Sequence, residues 1–189
     1  MVYVALLRGI NVGGKNKVEM KKLKGTFEEA GMSNVTTYIN SGNVVFTDNR
    51  RKASRISEVL EKAITADFGL EIKVLSRDLP SVRKLLKALP DEWTNDASMR
   101  CDVMFLWERF DRADVLKDLK IKPEIEDVVY IPGAVIWRVD RDNVMKSRMT
   151  KVVGTDLYRG MTIRNCNTVR KLAGIMEAVD QESRSRARG

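Results

Sequence analysis

A short turn near residue 40 places the strongest constraint on the fold of this chain. A β-branched and aromatic run, Val35–Ile39, leads into Asn40-Ser41-Gly42, and a strand pattern resumes at Asn43–Thr47. Asparagine, serine and glycine are turn formers, and so short a turn can join only antiparallel strands. The sequence therefore predicts a β-hairpin here and excludes a purely parallel sheet.

The patterns on either side of this hairpin complete a β-α-β-β-α-β order. Val2–Leu7 is a continuous apolar run, which is typical of a buried strand. Apolar residues at helical spacing follow at 20–30 and at 56–68, and a glycine ends each pattern. Ile72–Leu75 then indicates a fourth strand. This is the split βαβ arrangement of a ferredoxin-like unit.

A similar order follows in the second half of the chain. Strand patterns fall at 101–107, 128–131, 134–139 and 161–164, with helices expected at 111–119, at 144–153 and from 169 onward. We predict an α+β fold, a tandem duplication of ferredoxin-like units with antiparallel sheets, and a single larger α/β sheet is the alternative. The predicted units are 1–77 and 101–180, with a connecting helix and linker at 78–100 and a flexible tail at 181–189.

Residues 7–16 form a glycine-rich, basic loop directly after the first predicted strand. They match the phosphate-binding pattern G-x-x-x-x-G-K-[ST] at Gly9, Gly14 and Lys15, but Asn16 stands where a hydroxyl should meet magnesium. A P-loop also needs a parallel sheet and a helix directly after the lysine, whereas here a hairpin follows and the helix starts later. The loop is therefore not a nucleoside-triphosphatase motif, although its glycines and lysine suit an anion.

The predicted sheet brings this loop close to the hairpin turn. In a split βαβ unit the third strand lies antiparallel beside the first, so the end of one meets the start of the other. Each residue taken alone is explained as well by turn chemistry or by capping of backbone groups. Taken together they predict an anion-binding site. The candidate ligand-binding residues are Arg8, Asn11, Gly13, Gly14, Lys15, Ser41 and Asn43.

A second group of candidate ligand-binding residues, Arg164, Asn165 and Asn167, leads into the last predicted helix. Asn167 or Thr168 is expected to cap that helix. Arg164 fits this interpretation less well, because a cation beside a helix N-terminus opposes the dipole unless an anion lies between them. Cys166 is expected to be a partly buried small residue rather than a nucleophile, since no base accompanies it.

Composition limits the chemistry available to the chain. It contains no histidine and two cysteines, which removes the commonest general base and any four-ligand zinc site built from these residues alone. We therefore expect no metal and no cofactor. The apolar start at residues 1–7 is too short for a membrane span or a signal-peptide core. The expectation is a cytoplasmic protein, monomeric or weakly homodimeric, that does not bind membranes.

The charge distribution favours anionic partners. The net charge is +8, and cationic residues cluster at 1–24 and at 138–172. Such patches suit a phosphorylated small molecule or nucleic acid, although ordinary solvated helix faces explain part of them. Aromatic residues make up only 6% of the chain, which leaves few side chains for stacking on bases.

Three segments, Tyr3–Lys17, Tyr38–Phe46 and Thr162–Leu172, resemble the family called domain of unknown function 1697. The resemblance extends over essentially the whole chain. It implies a tandem ferredoxin-like α+β fold in the bacterial cytosol and no established activity. The chain departs from the family at Glu19, where proline is usual, and at Cys166, where tryptophan is usual. The second departure removes a large ring from that position.

Two functions remain open at this point. The first is a non-catalytic module that binds an anionic ligand, either a phosphorylated small molecule or nucleic acid, at the glycine-rich loop. The second is an enzyme that acts on an anionic substrate held by Arg8 and Lys15, without histidine, metal or P-loop chemistry. No carboxylate pair falls near the loop, and Glu19 is better explained by the helix N-terminus beside it. No catalytic residue is predicted.

Overall fold

A computed structural model describes residues 1–186. The chain forms two compact units: Met1–Arg83 with the last helix from Lys171 onward, and Lys84–Arg170. Each unit contains one four-stranded antiparallel sheet with helices between its strands, so the fold is mixed α and β. Within the described residues, no helix is both long and apolar enough to cross a membrane.

The first unit has the strand order β2-β3-β1-β4. The predicted hairpin is confirmed, because β2 and β3 pair antiparallel on either side of the turn at residues 40–42. The elements are β1 (Val2–Leu7), α1 (Met20–Glu29), β2 (Ser33–Tyr38), β3 (Asn43–Thr47), α2 (Ala53–Phe68) and β4 (Val74–Asp78), and α3 (Leu79–Ala88) follows.

Two amphipathic helices form the core of this unit together with the sheet. Leu23 and Phe27 of α1 and Leu60 of α2 are completely buried in one cluster with β1 and β3. Phe27 meets Phe46 edge to face, with their ring centroids 5.5 Å apart. Because the apolar residues recur at helical spacing, one face of each helix is withdrawn from water and the other stays solvated.

The second unit has the strand order β6-β7-β5-β8. The alternative of a single larger sheet is wrong, since the strands divide into two sheets. The elements are β5 (Met99–Leu106), α4 (Val115–Leu119), β6 (Glu126–Ile131), β7 (Ala134–Asp140), α5 (Asp156–Arg159) and β8 (Met161–Asn165). α6 (Cys166–Arg186) begins in this unit, and from Lys171 onward it belongs to the first. Trp137, Met104 and Leu106 are completely buried in its core.

The helix expected at 144–153 is wrong. The segment folds as turns followed by a short 3₁₀ helix at Met149–Val152. The Glu126 carboxylate accepts the backbone N–H of Arg148, and the Ser147 hydroxyl accepts that of Met149. These side-chain acceptors take backbone donors that a helix needs for its own ladder, so the helical periodicity is overridden.

The last helix is longer than its apolar pattern indicated. α6 runs to Arg186, so residues 181–186 of the predicted tail are helical, while 187–189 lie outside the described residues. Within the first unit, Arg83 donates to both carboxylate oxygens of Glu177, at 2.7 and 2.5 Å. That pair joins α3 to the C-terminal part of α6.

Candidate functional site

The glycine-rich loop folds as a small β-hairpin with its tip at Gly13-Gly14. Lys15 N–H donates to the Val12 carbonyl and Asn11 N–H to the Asn16 carbonyl, each at 3.1 Å. Both tip glycines have positive φ, 58° and 75°, which is the requirement of a type I′ turn. The segment that resembled a phosphate-binding loop is therefore a hairpin turn, and residues 12–17 are exposed.

The Asn11 side chain fixes this hairpin to the rest of the unit. Its amide nitrogen donates to the carbonyls of Val18 and Asn40, both at 2.9 Å, and its oxygen accepts the Val18 N–H at 2.8 Å. Asn16 adds a hydrogen bond from its side chain to the Gly9 carbonyl at 3.0 Å. Asn11 is thus a structural clamp whose amide is committed to backbone partners.

The loop and the turn at residues 40–42 meet at one end of the sheet, as the split βαβ argument predicted. Leu7 N–H donates to the Gly42 carbonyl at 2.8 Å, and Arg8 N–H to the Lys73 carbonyl at 2.9 Å. Gly42 has φ +73°, and a Cβ there would lie 2.7 Å from the Leu7 Cβ. Close packing of backbone against β1 therefore requires glycine at position 42.

The remaining predicted residues of this loop differ in accessibility. Gly13, Gly14, Lys15 and Ser41 are exposed and Arg8 is half-buried. Asn43 is completely buried and donates to the Tyr38 carbonyl at 3.2 Å. A ligand approaching from solvent can reach the first group, whereas Asn43 lies within the sheet.

Sequence reasoning missed two apolar side chains beside the loop. Val12 is 67% exposed and Ile39 is 49% exposed. Val12 directly follows Asn11, and Ile39 directly precedes Asn40. The Asn11 side chain joins these two asparagines through its hydrogen bond to the Asn40 carbonyl. Ile39 also has φ +48°, an uncommon and strained conformation for a β-branched residue. A strand pattern ending in isoleucine gives no sign of this conformation, so sequence alone could not indicate it.

The second predicted group lies in the other unit, where β8 passes into α6. Asn165 accepts the Thr168 N–H at 2.8 Å, so Asn165 is the cap, and the prediction of Asn167 or Thr168 was wrong. Asn167 instead donates to the Asn95 carbonyl at 2.9 Å. Arg164 is 9% exposed, and its guanidinium donates to the Thr162 hydroxyl and the Ile163 carbonyl at 3.0 and 2.8 Å. Burial lowers the pKa of Arg164 to about 10.

Known proteins similar to this chain share its fold over nearly the whole length. A family model described as "Protein of unknown function (DUF1697)" matches residues 1–137. The chain belongs to the DUF1697 family. No curated protein matches it significantly. The solved structure of the conserved bacterial protein SP0830 from Streptococcus pneumoniae is 31% identical, with a TM-score of 0.77 over 93% of this chain and 98% of the other.

In this DUF1697 protein, Cys166 is the first residue of α6 and is completely buried, not partly buried as expected. Its thiol lies 3.4 Å from the Trp93 carbonyl, and the neighbouring Cys101 thiol donates to its sulfur. That hydrogen bond lowers the pKa of Cys166, and the Arg170 cation contributes in the same direction. Burial keeps both sulfurs away from solvent, so this site has no accessible nucleophile.

The DUF1697 chain presents no cluster of metal ligands in its described part, residues 1–186. The pocket-lining cations Lys120, Arg148 and Lys151 of the second unit were not among the predicted site residues. Two of them belong to the basic cluster at 138–172, so composition contained a signal for them. Their convergence depends on how the irregular segment before β8 folds.

Proposed function

We propose that this protein binds the phosphate backbone of a nucleic acid through the hairpin at residues 11–16 and the lysines beside it. The observation that carries the proposal is an exposed, clamped hairpin with Lys15 next to its tip and Lys17 directly after it. Neither lysine side chain makes an ion pair or hydrogen bond with any of residues 1–186. Lysines commonly contact backbone phosphates in nucleic-acid complexes, and such binding is favoured because it releases condensed counterions.

The open form of the tip supports an extended ligand rather than an enclosed one. A Cβ added at Gly13 or Gly14 would meet no heavy atom within 4 Å. A small molecule needs walls that bury most of its surface, whereas a polyanion can be held from one side. The low aromatic content also favours contacts to phosphates over stacking on bases.

Neighbouring residues extend the same positive surface. Lys21 and Lys24 are exposed on α1, which begins shortly after the loop. Lys24 is 3.8 Å from Glu28, an exposed pair that contributes little to binding or stability. The half-buried Arg8 and the exposed Ser41 lie at the same end of the sheet.

The test is fluorescence anisotropy with duplex DNA and duplex RNA of about two helical turns, measured at several salt concentrations. Wild-type affinity is expected to fall steeply with salt. The double variant Lys15→Gln/Lys17→Gln should bind more weakly and show a salt slope smaller by about one per lost phosphate contact. Lys62→Gln/Lys84→Gln removes the same charge from exposed lysines of α2 and α3 and is the matched control.

Three outcomes contradict this proposal. Affinity that does not change with salt excludes a phosphate-backbone mode. An equal loss in the control pair shows that net charge alone is responsible. Tighter binding of inorganic phosphate or a phosphorylated small molecule than of either duplex would assign the loop to that other ligand. The enzymatic alternative stays a prediction, and no contact in the described residues favours it.

We also propose that the two units are a tandem ferredoxin-like duplication. The support is that β2-β3-β1-β4 and β6-β7-β5-β8 place their first, second, third and fourth strands in the same spatial order. The boundaries at 1–77 and 101–180, the cytoplasmic location and a monomeric or weakly dimeric state belong to the same proposal. Sedimentation over a range of protein concentrations tests the last point.

A further inference from the structure

The second unit contains a cavity of about 460 Å³ beside α4 and α5. This volume lies within the range of small-molecule sites, about 300–1,000 Å³. Its apolar lining comes from Phe110, Leu119, Val152 and Leu157. Three cations, Lys120, Arg148 and Lys151, share the same cavity.

The cations around this cavity have no carboxylate partner in the part of the chain that the structure describes. The two acids of the lining are already paired with arginines outside it. Asp118 lies 2.5 Å from Arg112, and Asp156 lies 2.9 Å from Arg159. Like charges held around one concave site repel each other, so an anion placed there lowers the energy of all three.

Arg148 is held in place by its own backbone. Its N–H donates to the Glu126 carboxylate, which also accepts the Lys122 N–H at 2.6 Å. Glu126 is only 4% exposed, so this anchor is inside the unit. The Arg148 side-chain nitrogen Nε is buried and has no hydrogen-bond partner within the described residues. Buried donors are normally satisfied, and an absent ligand or water explains such an exception.

Phe110, the aromatic residue of the cavity lining, is also held in place. The Phe110 ring packs so closely on Gly160 that a Cβ there would lie 1.9 Å from a ring carbon. On Phe110 the Arg109 guanidinium lies 5.4 Å from the ring centroid, within cation–π distance. Gly160 therefore permits the position of Phe110, which contributes an aromatic ring to the cavity lining.

We propose that this cavity binds a phosphate monoester joined to a flat ring, the class to which nucleoside monophosphates belong. Three cations suit a phosphate, which carries up to about two negative charges at neutral pH, better than a single carboxylate. The arginine fork can bind two phosphate oxygens at once. The ring would pack on Phe110 and the buried aliphatic residues. This proposal does not depend on the hairpin, which belongs to the other unit.

The experiment is a calorimetric and NMR titration of the full chain with AMP, GMP, CMP and UMP. Adenosine and inorganic phosphate serve as the two halves of the probe. At least one nucleotide should bind the protein. Adenosine and inorganic phosphate should each bind the protein more weakly than that nucleotide, by about tenfold or more. Arg148→Gln and Lys151→Gln should each weaken nucleotide binding by about tenfold. Lys117→Gln, an exposed lysine of α4 outside the cavity, should change it less than about twofold.

Each remaining outcome counts for or against the cavity. If no nucleotide shifts the resonances of its lining at about 5 mM, the proposal is wrong. Nucleotide binding that is unchanged in both Arg148→Gln and Lys151→Gln also contradicts the proposal. Inorganic phosphate that binds as tightly as AMP would show that the ring contributes nothing to binding. Gly160→Ala should displace Phe110 and weaken nucleotide binding. If that variant does not fold, Phe110→Leu tests the same contact.

Discussion

The two units have the same strand order but differ in what covers their sheets. In the first unit, ten-residue α1 and sixteen-residue α2 lie between the strands. The corresponding helices of the second unit, α4 and α5, have five and four residues. The connections of the second unit are completed by 3₁₀ turns and by side chains that bind backbone groups. The comparison shows that one strand order can support a regular helical cover or an irregular one.

This difference decides where each unit can present chemistry. The first unit closes its core with helices and projects a clamped hairpin with lysines on it. The second unit places shorter segments over its sheet, and a cavity with three cations remains between them. A convex surface suits the extended backbone of a nucleic acid, whereas a concave surface suits a compact phosphate ester.

Removing a large ring from either core should cost the most. Trp137→Ala in the second unit and Phe46→Ala in the first should each lower the free energy of unfolding by about 3–5 kcal/mol, because both rings are completely buried. Urea denaturation measures the change. Trp137→Phe should cost clearly less, since the indole Nε1 has no hydrogen-bond partner in the described residues. An equal loss from Phe and Ala would contradict a contribution from the packing of the ring.

Alanine at two glycines of the first unit should separate steric crowding from backbone strain. Gly42→Ala should cost about 2–4 kcal/mol, because a Cβ meets Leu7 and positive φ adds strain. At Gly13, which has φ +58° and open space, alanine should cost only about 1–2 kcal/mol. Thermal or urea unfolding measures both. Equal costs at the two positions would contradict the close packing of the turn on β1.

Each unit fixes an irregular connection with one side chain, and the two clamps should differ in strength. Glu126→Ala should cost about 2–4 kcal/mol, because two partly buried backbone donors lose a charged acceptor. Asn11→Ala should cost about 1–3 kcal/mol, because its lost acceptor is neutral. Asn11→Gly controls for the positive φ at this position. Hydrogen exchange of the Val18 amide reports the Asn11 clamp, and that of the Arg148 amide reports the Glu126 clamp. Unchanged protection of either amide in the corresponding variant would exclude that clamp.

The smallest effect is expected from acid titration of Asp48, which has a buried side chain in the first unit. Burial alone raises the pKa of Asp48, but hydrogen bonds from Arg50 and Arg51 outweigh it and hold that pKa below its ordinary value. Asp48 therefore contributes its full stability above the unfolded pKa of about 4, and this contribution is lost as pH falls through the folded pKa.

Asp48→Asn tests this sign directly. At neutral pH the variant should be less stable than wild type by about 1–2 kcal/mol, and the difference should shrink as the pH falls below about 4. Urea denaturation at a series of pH values measures it. A difference that grows toward acid pH would mean that the pKa of Asp48 is raised. Glu29→Gln removes the same charge from an exposed side chain of α1 and is the control.

Most of the secondary structure followed from the sequence, and the candidate site only in part. The strands, the hairpin at residue 40 and the first two helices carried clear periodicity or turn signals. The segment 144–153 carried an apolar pattern, but Glu126, far away in the chain, removes the donor that a helix requires. At the last helix the cap is Asn165. Asn165, Asn167 and Thr168 are all capping residue types within four positions, so the local pattern does not distinguish among them.

For the candidate site, the sequence by itself determined that a glycine-rich basic loop and a short turn would meet at one end of an antiparallel sheet. It could do so because strand direction and burial periodicity are set by neighbouring residues. Only the tertiary structure decided that Asn11 and Asn43 serve the backbone, that Arg164 is buried, and that three cations line one cavity. Those outcomes depend on hydrogen-bond partners and packing contacts that lie tens of residues apart in the chain, and no local pattern records them.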